Sequence, residues 1–136
     1  MNSEMNFERT LQSLDQIFDF INAFMVKAGI PQSQIFPIQL AVEELFTNWV
    51  KYQADSPHDI AIALDNSHRK LIVTLTDPDC ERFDLRNAPE PAIHQPLSDR
   101  KPGGLGIHLV KKMVDTVDYT YVNRKSTITL TKYLES

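Results

Sequence analysis

A carboxylate, an amide and an ammonium group recur along one predicted helix. Glu44, Asn48 and Lys51 stand at positions i, i+4 and i+7, so in a helix their side chains form a single polar stripe. A carboxylate can deprotonate a nucleophile, an amide oxygen can bind Mg²⁺, and an ammonium group can neutralise a phosphate. The stripe therefore contains the parts of a phosphoryl-transfer site, although a solvated helix face would show the same pattern.

Three glycines precede another run with helical spacing. Gly103, Gly104 and Gly106 lie in the segment KPGGLGIHLVKKMVD. Glycines that lead into a helix N-terminus allow a phosphate to approach the unpaired backbone N–H groups at the positive end of the helix dipole. The spacing of dinucleotide sites and the Walker lysine are absent. Taken alone, the segment is equally typical of an ordinary turn before a helix.

An aspartate separates a predicted strand from a long irregular segment. Asp77 ends the strand KLIVTLTD, and a strand-end carboxylate can accept a hydrogen bond from the exocyclic amine of adenine or can simply form a turn. Residues 78–104 then contain five prolines and little periodicity. Irregular segments longer than about 12 to 15 residues are often lids or binding loops. We therefore expect a lid over about 78–104.

Hydrophobic periodicity predicts the elements that must position these groups. Their order is strand, helix, helix, strand, strand, loop, helix, strand, strand. A short strand is predicted in MNFERT. Helices are predicted over 11–27, from after Pro31 to near Tyr52, and over 106–114. One hairpin pairs DIAIALDN with KLIVTLTD, and the other pairs VDYTYVN with STITLTKYL. This order predicts an α+β fold: a two-layer sandwich in which a mainly antiparallel mixed sheet carries three helices on one face.

Composition limits the classes of function. The 136 residues fit one domain over 1–136, and a net charge of −4 argues against direct nucleic-acid binding. No apolar run approaches the roughly 18 residues of a membrane span. The start, MNSEMNFERT, lacks the pattern of a secretory signal, and a single cysteine excludes an internal disulfide. These features predict a cytoplasmic protein with no membrane partner.

Read in order, the motifs resemble a known family. Glu44-x-x-x-Asn48 on a helix, Asp77 after a strand, and GGLGIHLVKKMVD after a proline-rich loop resemble the N box and the two glycine boxes of the GHKL ATPase and kinase superfamily. The chain looks most like the small anti-sigma regulatory factors, the serine-protein kinases of the RsbW and SpoIIAB type. The resemblance covers nearly the whole chain and implies a Bergerat-type fold that binds ATP and Mg²⁺. It also implies phosphorylation of a serine on a STAS-domain anti-anti-sigma protein, a possible sigma-factor partner and a possible homodimer.

The resemblance also implies a role for each matching residue. Glu44 would be the general base, Asn48 the Mg²⁺ ligand and Lys51 a phosphate contact. Asp77 would bind the adenine amino group, and Ser126 stands where the family usually has a threonine near adenine. The lid backbone would reach the phosphates at Gly103, Gly104 and Gly106.

One motif departs from the family pattern. The first glycine box normally reads Asp-x-Gly-x-Gly, whereas this chain has DPDCERFD, with Asp79 and Glu81 in place of the glycines. At about 4 Å and an effective dielectric near 20, each additional carboxylate beside a triphosphate would cost on the order of 4 kcal/mol before screening. Two hypotheses follow: an ATP-dependent serine-protein kinase, or a binding module with a degenerate nucleotide site that acts by stoichiometric sequestration. The retained Glu44 and lid glycines favour the kinase.

Overall fold

The described part of the chain contains five strands and two long helices. The computed structural model describes residues 2–52, 58–78 and 110–134. Its strands are β1 (Asn2–Phe7), β2 (Ile60–Ser67), β3 (Lys70–Asp77), β4 (Thr116–Val122) and β5 (Lys125–Tyr133), and its helices are α1 (Leu14–Lys27) and α2 (Gln32–Tyr52). Residues 110–113 are also helical. The predicted element order is confirmed over these residues.

The strands form one sheet in the order β1-β2-β3-β5-β4. Every neighbouring pair is antiparallel, which confirms the expected α+β architecture. β3 lies in the middle of the sheet, and its last residue, Asp77, is the register partner of Ser126 on β5. Two residues that the sequence associates with adenine are therefore adjacent across two strands.

The core lies between the sheet and the helices. Alternate residues of β2, β3 and β5 are buried, including Leu64, Val73 and Leu130, as expected for strands with one face turned to a core. They form a single cluster with the apolar faces of α1 and α2 and with Val110. The predicted inward face of α2 is confirmed, since the four residues that define it are all buried: Ile38, Val42, Leu45 and Trp49.

Local sequence signals determine where α1 begins and ends. The predicted helix starts with a 3-10 turn at Leu11–Ser13, so regular α-helix begins later than the periodicity predicts. At the other end Gly29 has φ 76°, a left-handed conformation that glycine adopts without steric cost. The N–H groups of Gly29 and Ile30 donate to the carbonyls of Val26 and Met25 at 3.0 and 2.9 Å. This Schellman-type cap ends the helix.

Both hairpins turn through residues in the left-handed region. His68 and Arg69 have φ 52° and 60°, and Asn123 and Arg124 have φ 51° and 66°. Two consecutive residues of this kind are typical of the tight turns whose twist matches antiparallel strands. Within the described residues, no helix is long and apolar enough to cross a membrane.

Candidate nucleotide site

The polar stripe of α2 is graded in exposure. Glu44 is half-buried, Asn48 is 6% exposed and Lys51 is exposed. Glu44 and Asn48 lie one helical turn apart, with a rise of about 6 Å between their Cα atoms. Asn48 is buried beside Leu45 and Trp49, so the stripe enters the core instead of lying entirely on a solvated face. This burial argues against the alternative that the stripe is only a solvated helix face.

Asn48 carries a buried donor that the described structure does not use. Its Nδ2 atom has no hydrogen-bond partner among the residues that the structure describes. Buried polar groups are almost always hydrogen-bonded, and each unpartnered one calls for a cause. A buried amide with a spare donor and an oxygen at its other end is suited to bind a ligand that carries both a cation and phosphate oxygens.

The oxygen atoms on α2 fit a magnesium ion shared with phosphates. Mg²⁺ usually takes one or two protein oxygens and completes its shell with substrate phosphates and water. Asn48 offers one amide oxygen for such an ion, and Glu44, on the same side of the helix, supplies a carboxylate nearby that can serve as a base. The described residues contain no cluster of three or more His, Cys, Asp or Glu side chains that could hold a metal alone. The donor set therefore suits a jointly held ion and not a closed metal site.

Asp77 is fully buried and is paired with an arginine that the sequence analysis missed. Arg9 donates to Asp77 through both terminal nitrogens, Nη1 to Oδ2 at 2.6 Å and Nη2 to Oδ1 at 2.7 Å. The side chains are 3% and 0% exposed, respectively. Nη2 also donates to the backbone carbonyl of His58 at 3.1 Å. Because a buried carboxylate needs a partner to remain charged, the pairing with Arg9 accounts for the burial of Asp77 in this structure.

Only the sheet topology could have identified Arg9. The residue follows β1, which is separated from β3 by β2, and it lies 68 positions from Asp77 in the sequence. A single arginine after a strand has no periodicity and matches no motif. The available hint was indirect: an aspartate at the end of a buried strand requires a cation or several donors nearby.

Ser126 lies in the same buried cluster as Asp77. It is fully buried, and its Oγ is 3.4 Å from the Oη of Tyr119, a second residue that the sequence analysis did not single out. Tyr119 lies on β4 and is itself only 3% exposed. The sheet thus brings Arg9, Asp77, Ser126 and Tyr119 together on its helix-covered side.

Several predicted site residues lie outside the described residues. These are the three lid glycines Gly103, Gly104 and Gly106, the carboxylates Asp79 and Glu81, and all of the expected lid after Pro78. Of the predicted third helix, the structure describes the part from Val110 onward. Val110 is buried, whereas Lys111 and Lys112 are exposed. The roles of the glycines remain predictions.

Comparisons with solved structures agree with the fold. The RsbU and RsbW domains of Rv1364c from Mycobacterium tuberculosis give a TM-score of 0.72 at 14% identity, with 98% of this chain and 32% of that chain covered. The SiaB–SiaC complex from Pseudomonas aeruginosa gives a TM-score of 0.64 at 11% identity, with 97% of this chain and 88% of that chain covered. The Acinetobacter baumannii histidine kinase AdeS gives a TM-score of 0.56 at 13% identity, with 98% of this chain and 68% of that chain covered. This chain thus spans about a third of the Rv1364c chain, and identities this low show the fold alone.

A family model supplies the assignment. No curated protein matches the chain significantly. The model of the histidine kinase-like ATPase domain, however, matches residues 7–132, which include α2, β3 and all of β5 except its last residue. The resemblance to the GHKL superfamily is confirmed by this match. The chain belongs to the family of histidine kinase-like ATPase domains.

Proposed function

We propose that this protein is an anti-sigma regulatory factor with serine-protein kinase activity. It binds ATP with Mg²⁺ and phosphorylates a serine of a STAS-domain anti-anti-sigma partner. The observation that carries the proposal is the arrangement on α2. Half-buried Glu44 lies one turn before Asn48, a buried amide whose Nδ2 has no partner among the described residues. Phosphoryl transfer needs a base and a metal-binding group held in register, and a rigid helix provides that register.

Each residue of the site has a distinct proposed task. Glu44 accepts the proton of the partner's serine hydroxyl while that oxygen forms a bond to the γ-phosphorus and the bond to the ADP oxygen breaks. Asn48 would hold Mg²⁺ through its amide oxygen, and the bound ion would supply positive charge to neutralise the phosphates. Lys51, exposed at the end of α2, contacts a phosphate. Asp77 and Ser126 form the base end of the site.

The glycine segment completes the proposed site. Gly103, Gly104 and Gly106 would bring backbone N–H groups of the lid to the phosphates, as glycine-rich segments before a helix do elsewhere. The three residues precede the helical residues 110–113. This part of the proposal rests on the sequence and on membership of the ATPase family.

The proposed partners are proteins. One similar structure is a complex of SiaB with a second protein, SiaC, and another contains an RsbW domain. These similarities support the proposal of a regulatory factor that binds a protein partner. We propose a STAS-domain protein as the substrate and a sigma factor as the sequestered partner, with the cytoplasm as the compartment.

A second candidate function is supported by one specific observation. Both oxygens of Asp77 accept hydrogen bonds from Arg9, which leaves the carboxylate less available to an adenine amino group. Together with Asp79 and Glu81 in the first glycine box, this pairing supports a binding module that sequesters its partner without using ATP. The two candidates predict different outcomes when γ-labelled ATP is supplied.

Phosphate transfer tests the proposed kinase. The wild-type protein is incubated with Mg²⁺, γ-labelled ATP and a STAS-domain protein, and label should appear on a serine. Glu44→Gln should abolish labelling, because the amide cannot accept the proton. Glu43→Gln is the matched control: the residue is the helix neighbour of Glu44, is also half-buried, and should retain labelling. Equal labelling by both variants would remove Glu44 from the proposed role, and stoichiometric binding of the partner without labelling would favour the binding module.

A further inference from the structure

Arg9 is held in place by three acceptors at the base end of the proposed site. Two are the carboxylate oxygens of Asp77 at 2.6 and 2.7 Å, and the third is the His58 carbonyl at 3.1 Å. Arg9 is also fixed by its own backbone setting, because the Thr10 N–H and the Ser13 hydroxyl both donate to the Glu8 carbonyl at 2.8 Å. The guanidinium is thus a positioned part of the fold and not a surface side chain that visits Asp77.

We propose that Arg9 determines how tightly the site binds a nucleotide, because it competes with the base for Asp77. This inference rests on the proposed function, in which Asp77 contacts adenine. An adenine amino group offers Asp77 one neutral donor at a time, whereas the guanidinium is a charged donor that contacts both oxygens in a bidentate manner. Arg9 therefore occupies one acceptor position on each oxygen and weakens both as acceptors, so adenine binds Asp77 more tightly when Arg9 gives up part of this contact.

Burial makes this competition strong. Neither side chain is exposed by more than 3%, so water cannot readily replace a bond that either partner loses. A base that enters must compensate for a guanidinium separated from its carboxylate in a region of low dielectric. Removal of the guanidinium reverses the balance, since it leaves a buried carboxylate that lacks the donors of Arg9 and that an adenine amino group can satisfy.

A purely structural role for Arg9 predicts the opposite binding behaviour. If Arg9 serves only to neutralise Asp77 and to fasten β1 to β3, its removal lowers the stability of the fold and leaves nucleotide affinity unchanged or reduced. Competition predicts lower stability together with higher affinity. Stability and affinity thus change in opposite directions only when Arg9 and the base share an acceptor.

Arg9→Met tests the competition and retains much of the length of the aliphatic side chain. Titration calorimetry should show that the variant binds ATP at least about tenfold more tightly than the wild type. Affinity for inorganic tripolyphosphate, which has no base, should be the same in both proteins. Arg69→Met is the control, because it removes the same charge from an exposed turn at the opposite end of β3. It should leave ATP affinity unchanged.

A second variant covers a failure of Arg9→Met to fold. Arg9→Lys keeps the charge but cannot form the bidentate contact, and it should bind ATP about threefold more tightly than the wild type. A folded Arg9 variant with unchanged or weaker ATP affinity would overturn the competition while leaving the proposed kinase intact, provided that the wild type binds and transfers phosphate. An equal gain for tripolyphosphate would also overturn it, since the effect would then be one of charge. Absence of ATP binding by the wild type and by both Arg9 variants would contradict the proposed function together with this inference.

Discussion

Separation of Arg9 from Asp77 should be one of the most destabilising changes available in this chain. The two hydrogen bonds, at 2.6 and 2.7 Å, are as short as charge-assisted bonds or shorter, and each bond to a charged group contributes roughly 1.5 to 3 kcal/mol. Their sum agrees with the cost of about 3 to 5 kcal/mol for removing one partner of a buried ion pair. Arg9→Met and Asp77→Leu should each lower the free energy of unfolding by about this amount. Domains are stabilised by roughly 5 to 15 kcal/mol in total, so either single variant should lose a large part of the stability of the fold.

A double-mutant cycle separates the pair from its surroundings. In Arg9→Met/Asp77→Leu both charges are gone, so the double variant should unfold within about 1 to 2 kcal/mol of the wild type. Urea unfolding followed by circular dichroism supplies the four free energies, with unchanged m-values as the check that the same surface is exposed on unfolding. Lys70→Ala, which removes a cation 5.5 Å from the Tyr133 ring, should cost less than about 1 kcal/mol. Single variants of Arg9 and Asp77 that cost no more than Lys70→Ala would refute the assignment of a buried, energetically coupled pair.

Two further predictions concern residues on the helices. Asn48→Leu replaces a buried amide, whose Nδ2 has no partner among the described residues, by an apolar side chain of similar shape. Thermal unfolding should therefore show a stability equal to that of the wild type or higher by about 1 kcal/mol, and calorimetry should show loss of Mg²⁺-dependent ATP binding. A large loss of stability would mean that the amide is hydrogen-bonded in solution. Gly29→Ala places a Cβ where no atom of the described residues lies within 4 Å, but at a residue with φ 76°. Chemical denaturation should therefore show that the free energy of unfolding falls by about 1 to 2 kcal/mol because of backbone strain alone. An unchanged midpoint would contradict the observed cap.

The elements could be predicted because their signals are local. Alternation in DIAIALDN and KLIVTLTD, the inward residues of α2, and Gly29 after α1 each depend on neighbours within a few positions, and each prediction is confirmed. The predicted start of α1 was wrong by one 3-10 turn, at Leu11–Ser13, because apolar spacing does not distinguish the first turn of an α-helix from a 3-10 turn. Helix ends are the least certain part of such patterns.

The site was only partly predictable because its decisive contacts are non-local. The spacing of Glu44 and Asn48 could be read from the sequence, but the burial of Asn48 depends on how α2 packs against the sheet. Asp77 and Ser126 were each singled out, whereas their adjacency is set by the register of β3 with β5. The pairing with Arg9 required the strand order, which places the end of β1 near the end of β3. Local pattern predicted which groups could do chemistry, and topology determined what holds them.

The most direct test of the central claim is a calorimetric titration of the wild-type protein with ATP in the presence of Mg²⁺. The proposed site predicts saturable binding of one nucleotide with a dissociation constant below about 1 mM, weakened when Mg²⁺ is removed or when Asn48 is replaced by leucine. Thr47→Ala, a change at the half-buried neighbour of Asn48 on α2, should leave the affinity unchanged. Absence of saturable heat up to about 5 mM ATP, a concentration above the roughly 1 mM upper end of typical KM values, would contradict a functional nucleotide site in this protein.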